Sequence, residues 1–340
     1  MSSRGILLKV IAPVVIGMAV VAYLFYREFN PAVWGEIDFD WRAVCAIALA
    51  WVCMGGRDFG LSWRFRAITD RRLTWGQSVR VCMMCEFTSC VTPSVVGGSA
   101  LGMVFMNREG IELGRATTLT LVTLFLDELF FVVSLPVVML FVPYGDLFGF
   151  DGGMFTMGLQ TVFWLVYSGL VIYTGLLFVG IIVKPTVVKR ILSTLFRLPL
   201  LKRWRPKVET LGDNVAVAGM ELRGCSFGWW LKAFFATAVS WLSRYLIVNA
   251  LFWGFVPGID QLVAFARQSV VWVVLLVSPT PGGSGLSEWL FTEYYGDMIN
   301  STGIALVIAL LWRVITYYVY LVIGVIMLPS WVKGKLRIRN

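Results

Sequence analysis

Runs of about 20 apolar residues, the length an α-helix needs to cross the hydrocarbon core of a bilayer, recur from one end of this 340-residue sequence to the other. They fall at 6–26, 41–61, 117–142, 160–183, 229–255 and 304–328. They predict an all-α, polytopic integral membrane protein with about six spanning helices in a single transmembrane domain over 1–340. Composition agrees, because 58% hydrophobic against 14% charged residues leaves too little charge to cover a water-soluble fold. The first run is long, lacks a small-residue cleavage site and is followed by Arg27 and Glu28, so it reads as a retained helix rather than a signal peptide.

Several function classes recede at once. Histidine is absent, which removes the commonest general base and metal ligand. Of the six cysteines, Cys45, Cys53, Cys82, Cys85 and Cys90 lie in predicted membrane segments, where a thiol acts as a small apolar side chain. Cys82-x-x-Cys85 with Cys90 has the spacing of a redox or metal cluster, but the buried-thiol reading suits the setting better. No catalytic residue, cofactor or metal is expected. The net charge of +9 points to membrane topology, not nucleic acid, because of where the charge sits.

Lys and Arg concentrate on cytoplasmic loops. The stretches Arg64 to Arg72, Lys184 to Lys207 and Lys333 to Arg339, with Arg4 and Lys9, are therefore expected inside. The acidic or nearly neutral segments 28–40, 143–159 and 256–261 are expected outside. Both termini are then cytoplasmic and the protein sits in the cytoplasmic membrane. This partition requires an odd number of crossings between 72 and 143, yet two apolar stretches intervene, 76–105 and 117–142; the same conflict arises for 262–291 and 304–328. It resolves if 76–105 and 262–291 are re-entrant hairpins. Both carry the breakers: Pro93, Gly97 and Gly98 in the first, Pro279, Pro281, Gly282, Gly283 and Gly285 in the second. Proline removes a backbone donor and glycine permits reversal, and broken backbone at that depth is tolerated only inside protein or beside a wet cavity.

The hairpins also resemble each other. Gln77-Ser-Val matches Gln268-Ser-Val, and Gly97-Gly98-Ser99-Ala-Leu matches Gly282-Gly283-Ser284-Gly285-Leu. The first half-repeat would be 41–142 and the second 229–328, inverted, as in many alternating-access transporters. Between them, the basic segment 184–228 interleaves cations with Leu192, Phe196 and Trp204. It fits either a surface helix on anionic headgroups or a positive-inside anchor.

Charged residues fall where apolar ones belong: Glu86, Asp127, Glu128, Arg244, Glu288 and Arg313. Each costs several kcal/mol in hydrocarbon unless paired or hydrated, so they mark the expected functional centre, coupling sites or structural ion pairs. Asp127 and Glu128 are adjacent, about 100° apart on a helix, and cannot face one partner. Half-helix N-termini at the breaks, with Ser99, Ser284, Ser287, Arg313 and Tyr317, would suit a lipid phosphate, while Glu288 would pair with Arg313 or take a coupling proton.

Pro279-Thr-Pro281-Gly282-Gly283-Ser-Gly285-Leu-Ser-Glu288, followed by Leu311-Trp-Arg313-Val-Ile-Thr316-Tyr317-Tyr318, resembles the lysylphosphatidylglycerol synthase transmembrane family, also called the flippase-like domain family. In large bifunctional members the resembling domain is associated with moving aminoacylated phospholipid between leaflets, while a soluble domain transfers the aminoacyl group. The sequence ends at Asn340, just beyond the last run, so the resemblance implies a stand-alone flippase-like member. The first hairpin departs from the pattern, with Ala100 and Leu101 where a charge is expected after the glycines. The resemblance thus implies a flippase-like protein, not a synthase, and the leading expectation is a transporter of an anionic or polyprenyl-linked lipid headgroup, with a membrane phospholipid or lipid-linked substrate as partner. A membrane-embedded transferase using Glu288 or Asp127 as base, and a proton-coupled carrier of a small solute, are the alternatives.

Cysteine probes in a Cys-free background at Asp146, Asp260 and Asp297 are expected to label from outside intact cells, with Arg108 and Lys333 protected. Labelling at Arg108 but not Asp146 would make the hairpins plain spans.

Overall fold

The computed structural model describes residues 40–92, 98, 101–149, 153–183, 213, 217–299 and 301–333, with side chains as far as 328. The expected span at 6–26, most of the segment 184–228, and Pro93, Gly97 and Ser99 lie outside them. The described chain folds as α1 (Trp41–Ile68), α2 (Trp75–Val91), α3 (Gly102–Arg108), α4 (Leu113–Phe141), α5 (Tyr144–Phe148), α6 (Met154–Phe178), α7 (Phe227–Phe255), α8 (Gln261–Leu275), α9 (Leu286–Tyr294), α10 (Thr302–Arg313) and α11 (Val319–Lys333). π-Helical turns extend α6 through Val179–Val183 and join α10 to α11 through Val314–Tyr318. Among the described residues, five stretches are long and apolar enough to cross a membrane: Trp41–Ile68, Leu113–Phe141, Met154–Ile182, Phe227–Phe255 and Thr302–Leu328. The chain is an all-α polytopic membrane protein.

The helices start where the sequence supplies caps. Asp40, Ser226, Asp260 and Ser301 each accept from a backbone N–H of the first turn, and Thr74 with Gln77 forms a reciprocal capping box. Pro136 inside α4 has no N–H to give to the Val132 carbonyl four residues back. The Tyr167 hydroxyl of α6 donates to that carbonyl instead, at 3.0 Å, which replaces a bond that lipid cannot supply.

At the centre, α1 and α7 run antiparallel in close contact. Arg42 donates to the Trp253 carbonyl at 3.1 Å near one end, and Arg64 reaches Thr237 at 3.4 Å near the other. The seam is lined by Ala43, Ala46 and Gly60 on α1 and by Ala236, Ser240 and Gly254 on α7. Small residues allow this approach, and in a bilayer packing rather than hydrophobic exclusion holds helices together.

The two broken segments are helical hairpins. In the first, Gln77 at the start of α2 donates to the Glu109 carbonyl just past α3, at 3.2 Å. Arg80 grips the Glu109 carboxylate at 2.9 and 2.8 Å. Gly98 lies so close against α2 that a Cβ there would strike Ser89 and the Cys85 carbonyl. In the second, Arg267 of α8 donates to the Tyr294 carbonyl at 2.7 Å and binds Asp297 at 2.5 and 2.6 Å, beyond the end of α9. Each chain therefore returns to the end of the bundle from which it came, and the two open at opposite ends. Asp70 meets Arg115 at 3.6 Å and Trp229 at 3.0 Å beside the first opening; Arg267 meets the Asp146 carbonyl at 2.9 Å beside the second. This is the grouping of connections that the charge count demands. The helical limits run slightly past the expected 76–105 and 262–291, to 75–108 and 261–294.

Gly60 has no room for a side chain, since an added Cβ would lie 2.7 Å from the Ser240 nitrogen and 2.9 Å from the Ala236 carbonyl oxygen. Gly55, five residues away, faces open space. Gly60→Ala is expected to destabilise by about 1–3 kcal/mol through overpacking, whereas Gly55→Ala is neutral or slightly stabilising. Thermal unfolding of both variants in detergent checks this, and equal midpoints would contradict the seam.

Candidate functional site

The glycine turn of the second hairpin meets the end of α2 in the first. The Gly282 N–H donates to the Thr92 carbonyl at 3.4 Å. Gly282, Gly283 and Gly285 adopt φ of +56, +74 and +81°, left-handed values that suit glycine, and a Cβ on Gly282 would strike the Tyr317 ring. Tyr317 lies in the π-helical turn; its hydroxyl donates to the Cys90 carbonyl at 3.3 Å, and the Cys90 thiol donates to the Tyr317 carbonyl at 3.7 Å.

Glu288 occupies this junction. One carboxylate oxygen accepts from the Gly285 N–H and the Ser287 hydroxyl, both at 2.8 Å; the other accepts from Arg313 Nε at 2.8 Å. Arg313 also donates to the Gly282 carbonyl at 3.1 Å and stacks 4.1 Å above the Tyr317 ring. Glu288 and Arg313 are 2% and 4% exposed, so neither has water to replace the other. The half-helix N-terminus, Ser287 and Arg313, expected to face a ligand anion, thus all converge on a carboxylate of the chain itself. Ser284 donates to the Pro281 carbonyl at 2.7 Å and holds the loop.

Two further clusters join hairpin and scaffold. Glu86 of α2 forms ion pairs with Arg57 of α1 and, at 3.7 Å, with Arg244 of α7. Arg57 also donates to Asp58 and to the Tyr320 hydroxyl, each at 2.8 Å, and Tyr320 donates to Asp58 at 2.5 Å. Arg244 lies between the rings of Trp241 and Trp272, 5.2 and 4.1 Å from their centroids. Nearer the C-terminal end of α1, Arg64 and Trp241 both donate to Asp127, at 2.5 and 2.8 Å. Its neighbour Glu128 turns away, 6% exposed, with one carboxylate oxygen unpartnered among the described residues.

Arg57, Asp58 and Arg64 escaped the sequence reading. Arg57 and Asp58 fall inside the expected span 41–61 and were there to be noticed. Arg64 is counted there as the first residue of an inside loop, but α1 runs on to Ile68 and buries it to 3% exposure. Arg64 therefore leaves the loop count and becomes a buried ion-pair partner. Among the described residues no group of His, Cys, Asp or Glu is arranged to hold a metal ion.

The chain is 24% identical over 336 residues to the UPF0104 membrane protein of Archaeoglobus fulgidus, covering 95% of this chain and 97% of that one. No solved structure matches it. The sequence profile described as the lysylphosphatidylglycerol synthase TM region matches residues 10–324, which takes in both hairpins and the Glu288–Arg313 pair. The chain therefore belongs to the lysylphosphatidylglycerol synthase TM region family.

Proposed function

We propose that this protein moves an anionic or polyprenyl-linked lipid headgroup across the cytoplasmic membrane by alternating access. The observation that carries the reading is the buried Glu288–Arg313 pair at the point where two hairpins from opposite ends of the bundle meet. Residues 41–142 and 229–328 are then two halves related by inversion, each contributing one hairpin gate. Both termini lie on the cytoplasmic side, where Lys and Arg are concentrated.

In this reading the Glu288 carboxylate stands in for the headgroup while the carrier is empty. An incoming phosphate or other anion displaces it from Arg313, the Gly285 N–H and Ser287, donors that match a phosphate as well as a carboxylate. The exchange matters because a buried arginine left alone is costly: breaking such a pair by removing one partner costs about 3–5 kcal/mol. Arg313 is thus held by Glu288 in the empty state and by the headgroup in the loaded one. The clusters at Glu86 and Asp127 tie the first hairpin and α4 to the α1–α7 seam, which stays fixed while the gates move. No covalent step and no catalytic base are needed.

Proteoliposomes with labelled lipids test this directly. Arg313→Ala is expected to lower headgroup translocation by at least roughly 100-fold in protein that still elutes as a folded, helical species. Glu288→Gln is expected to abolish net movement, because the empty carrier cannot return with Arg313 uncompensated, while exchange with lipid present on both sides persists in part. Wild-type transport in both variants would remove the pair from the mechanism, and no movement of any native lipid class by the wild type would overturn the transport reading.

A further inference from the structure

A second feature lies away from the hairpin junction, at the end of the bundle where α1 turns into α2 and α7 begins. There a cavity of about 230 Å³ is lined by Trp63, Arg66, Ala67, Arg71, Trp75 and Lys232. Three of these six residues are cations, and none is acidic. The Arg66 guanidinium lies 5.2 Å over the Trp75 ring and donates to the Leu73 carbonyl at 3.1 Å. Both contacts fix its direction without neutralising it. Arg71 and Lys232 are exposed.

The turn that places Arg71 is unusual. Asp70 and Arg71 have φ of +53 and +62°, a left-handed pair that non-glycine residues adopt only at an energetic cost. The pair is held from both sides: Asp70 by Arg115 and Trp229, and the Arg71 N–H by the Arg66 carbonyl at 2.9 Å.

The aromatic wall continues from the cavity towards the middle of the bundle. Phe59 stacks on Trp75 with centroids 5.6 Å apart, and Phe235 meets Trp63 edge-on at 5.9 Å. Phe59 and Phe235 are 53% and 57% exposed, on stretches of α1 and α7 apolar enough to face lipid. Cations at the helix ends with an apolar track running inward match the two parts of a phospholipid, headgroup at the interface and chain along the span.

We propose that this cavity binds one anionic phospholipid of the surrounding leaflet, its phosphate between Arg66, Arg71 and Lys232 and its acyl chain along Phe59, Trp63 and Phe235. The site joins the entry of the first hairpin to the α1–α7 scaffold, so the bound lipid braces that connection. It does not rest on the transport reading, since a lipid held here need not be the one carried.

The test is thermal unfolding of the full-length protein in detergent, titrated with phosphatidylglycerol or phosphatidylcholine. Phosphatidylglycerol is expected to raise the midpoint to saturation and phosphatidylcholine to leave it unchanged. The double variant Arg71→Gln/Lys232→Gln is expected to need about 30-fold more phosphatidylglycerol for half-saturation, while Arg71→Lys/Lys232→Arg responds as wild type. Arg42→Gln, a cation at the opposite end, is expected to leave the titration unaltered, and glycerol phosphate without acyl chains to produce no shift. Wild-type half-saturation in the double variant, an equal loss in Arg42→Gln, or an equal shift with phosphatidylcholine or glycerol phosphate would each overturn the proposal. If the double variant does not fold, Lys232→Glu alone carries the same comparison, with weakened response expected and an unchanged one decisive against it.

Discussion

The close approach of α1 and α7 is the constraint on which the rest of the architecture depends. Its cause is the absence of side chains: Gly60 sits against the Ser240 backbone and Gly254 against Ala46, so the two helix axes are nearly as close as backbone atoms permit. The ion-pair clusters at Glu86 and Asp127 are both built on this seam. Arg57 and Arg64 project from α1 and Arg244 from α7, and the acids that meet them arrive on α2 and α4 as Glu86 and Asp127. Had the seam been lined with leucines, Arg244 of α7 would stand farther from Glu86, which Arg57 of α1 also meets.

A second constraint governs the turn of the second hairpin at 276–285, where the chain is not helical and carries peptide groups that hydrocarbon cannot satisfy. The turn meets this partly through the first hairpin. Gly282 donates to the Thr92 carbonyl, Arg313 donates to the Gly282 carbonyl, and Glu288 accepts from the Gly285 N–H. The turn and the end of α2 are thus mutually dependent: parting them leaves Thr92 and Gly282 without these bonds unless water or a polar ligand enters. A gap between the hairpins is, on these terms, a wet or occupied gap.

Much of this was legible in the sequence, for identifiable reasons. Spanning helices declare themselves by apolar length, and the break ahead of α9 by Pro279, Pro281, Gly282, Gly283 and Gly285 in an otherwise apolar run. The parity of the basic loops forced two hairpins where hydropathy alone gives two more spans. Glu288 and Arg313 stood out because charge is rare at that depth. What stayed hidden was pairing and phase. Arg64 lay at a helix end that composition places too early, so its role with Asp127 was unreadable. Tyr320 carries no charge and gave no sign that it bonds Asp58 and Arg57. The cavity of Trp63, Trp75 and Lys232 draws on segments more than 150 residues apart, which only the fold brings together.

The π-helical turn at Val314–Tyr318 has no signature in apolar periodicity, yet it sets what the last long helix can address. In regular α-helical winding, Arg313 and Tyr320 are seven residues apart and would share nearly one face. The widened turn inserts about one residue, rotating the following segment by about 100°. Arg313 can then serve the hairpin junction while Tyr320 serves the Arg57–Asp58 cluster. The π-helical winding of this single turn thus fixes the angular offset at which one helix serves two separate polar clusters.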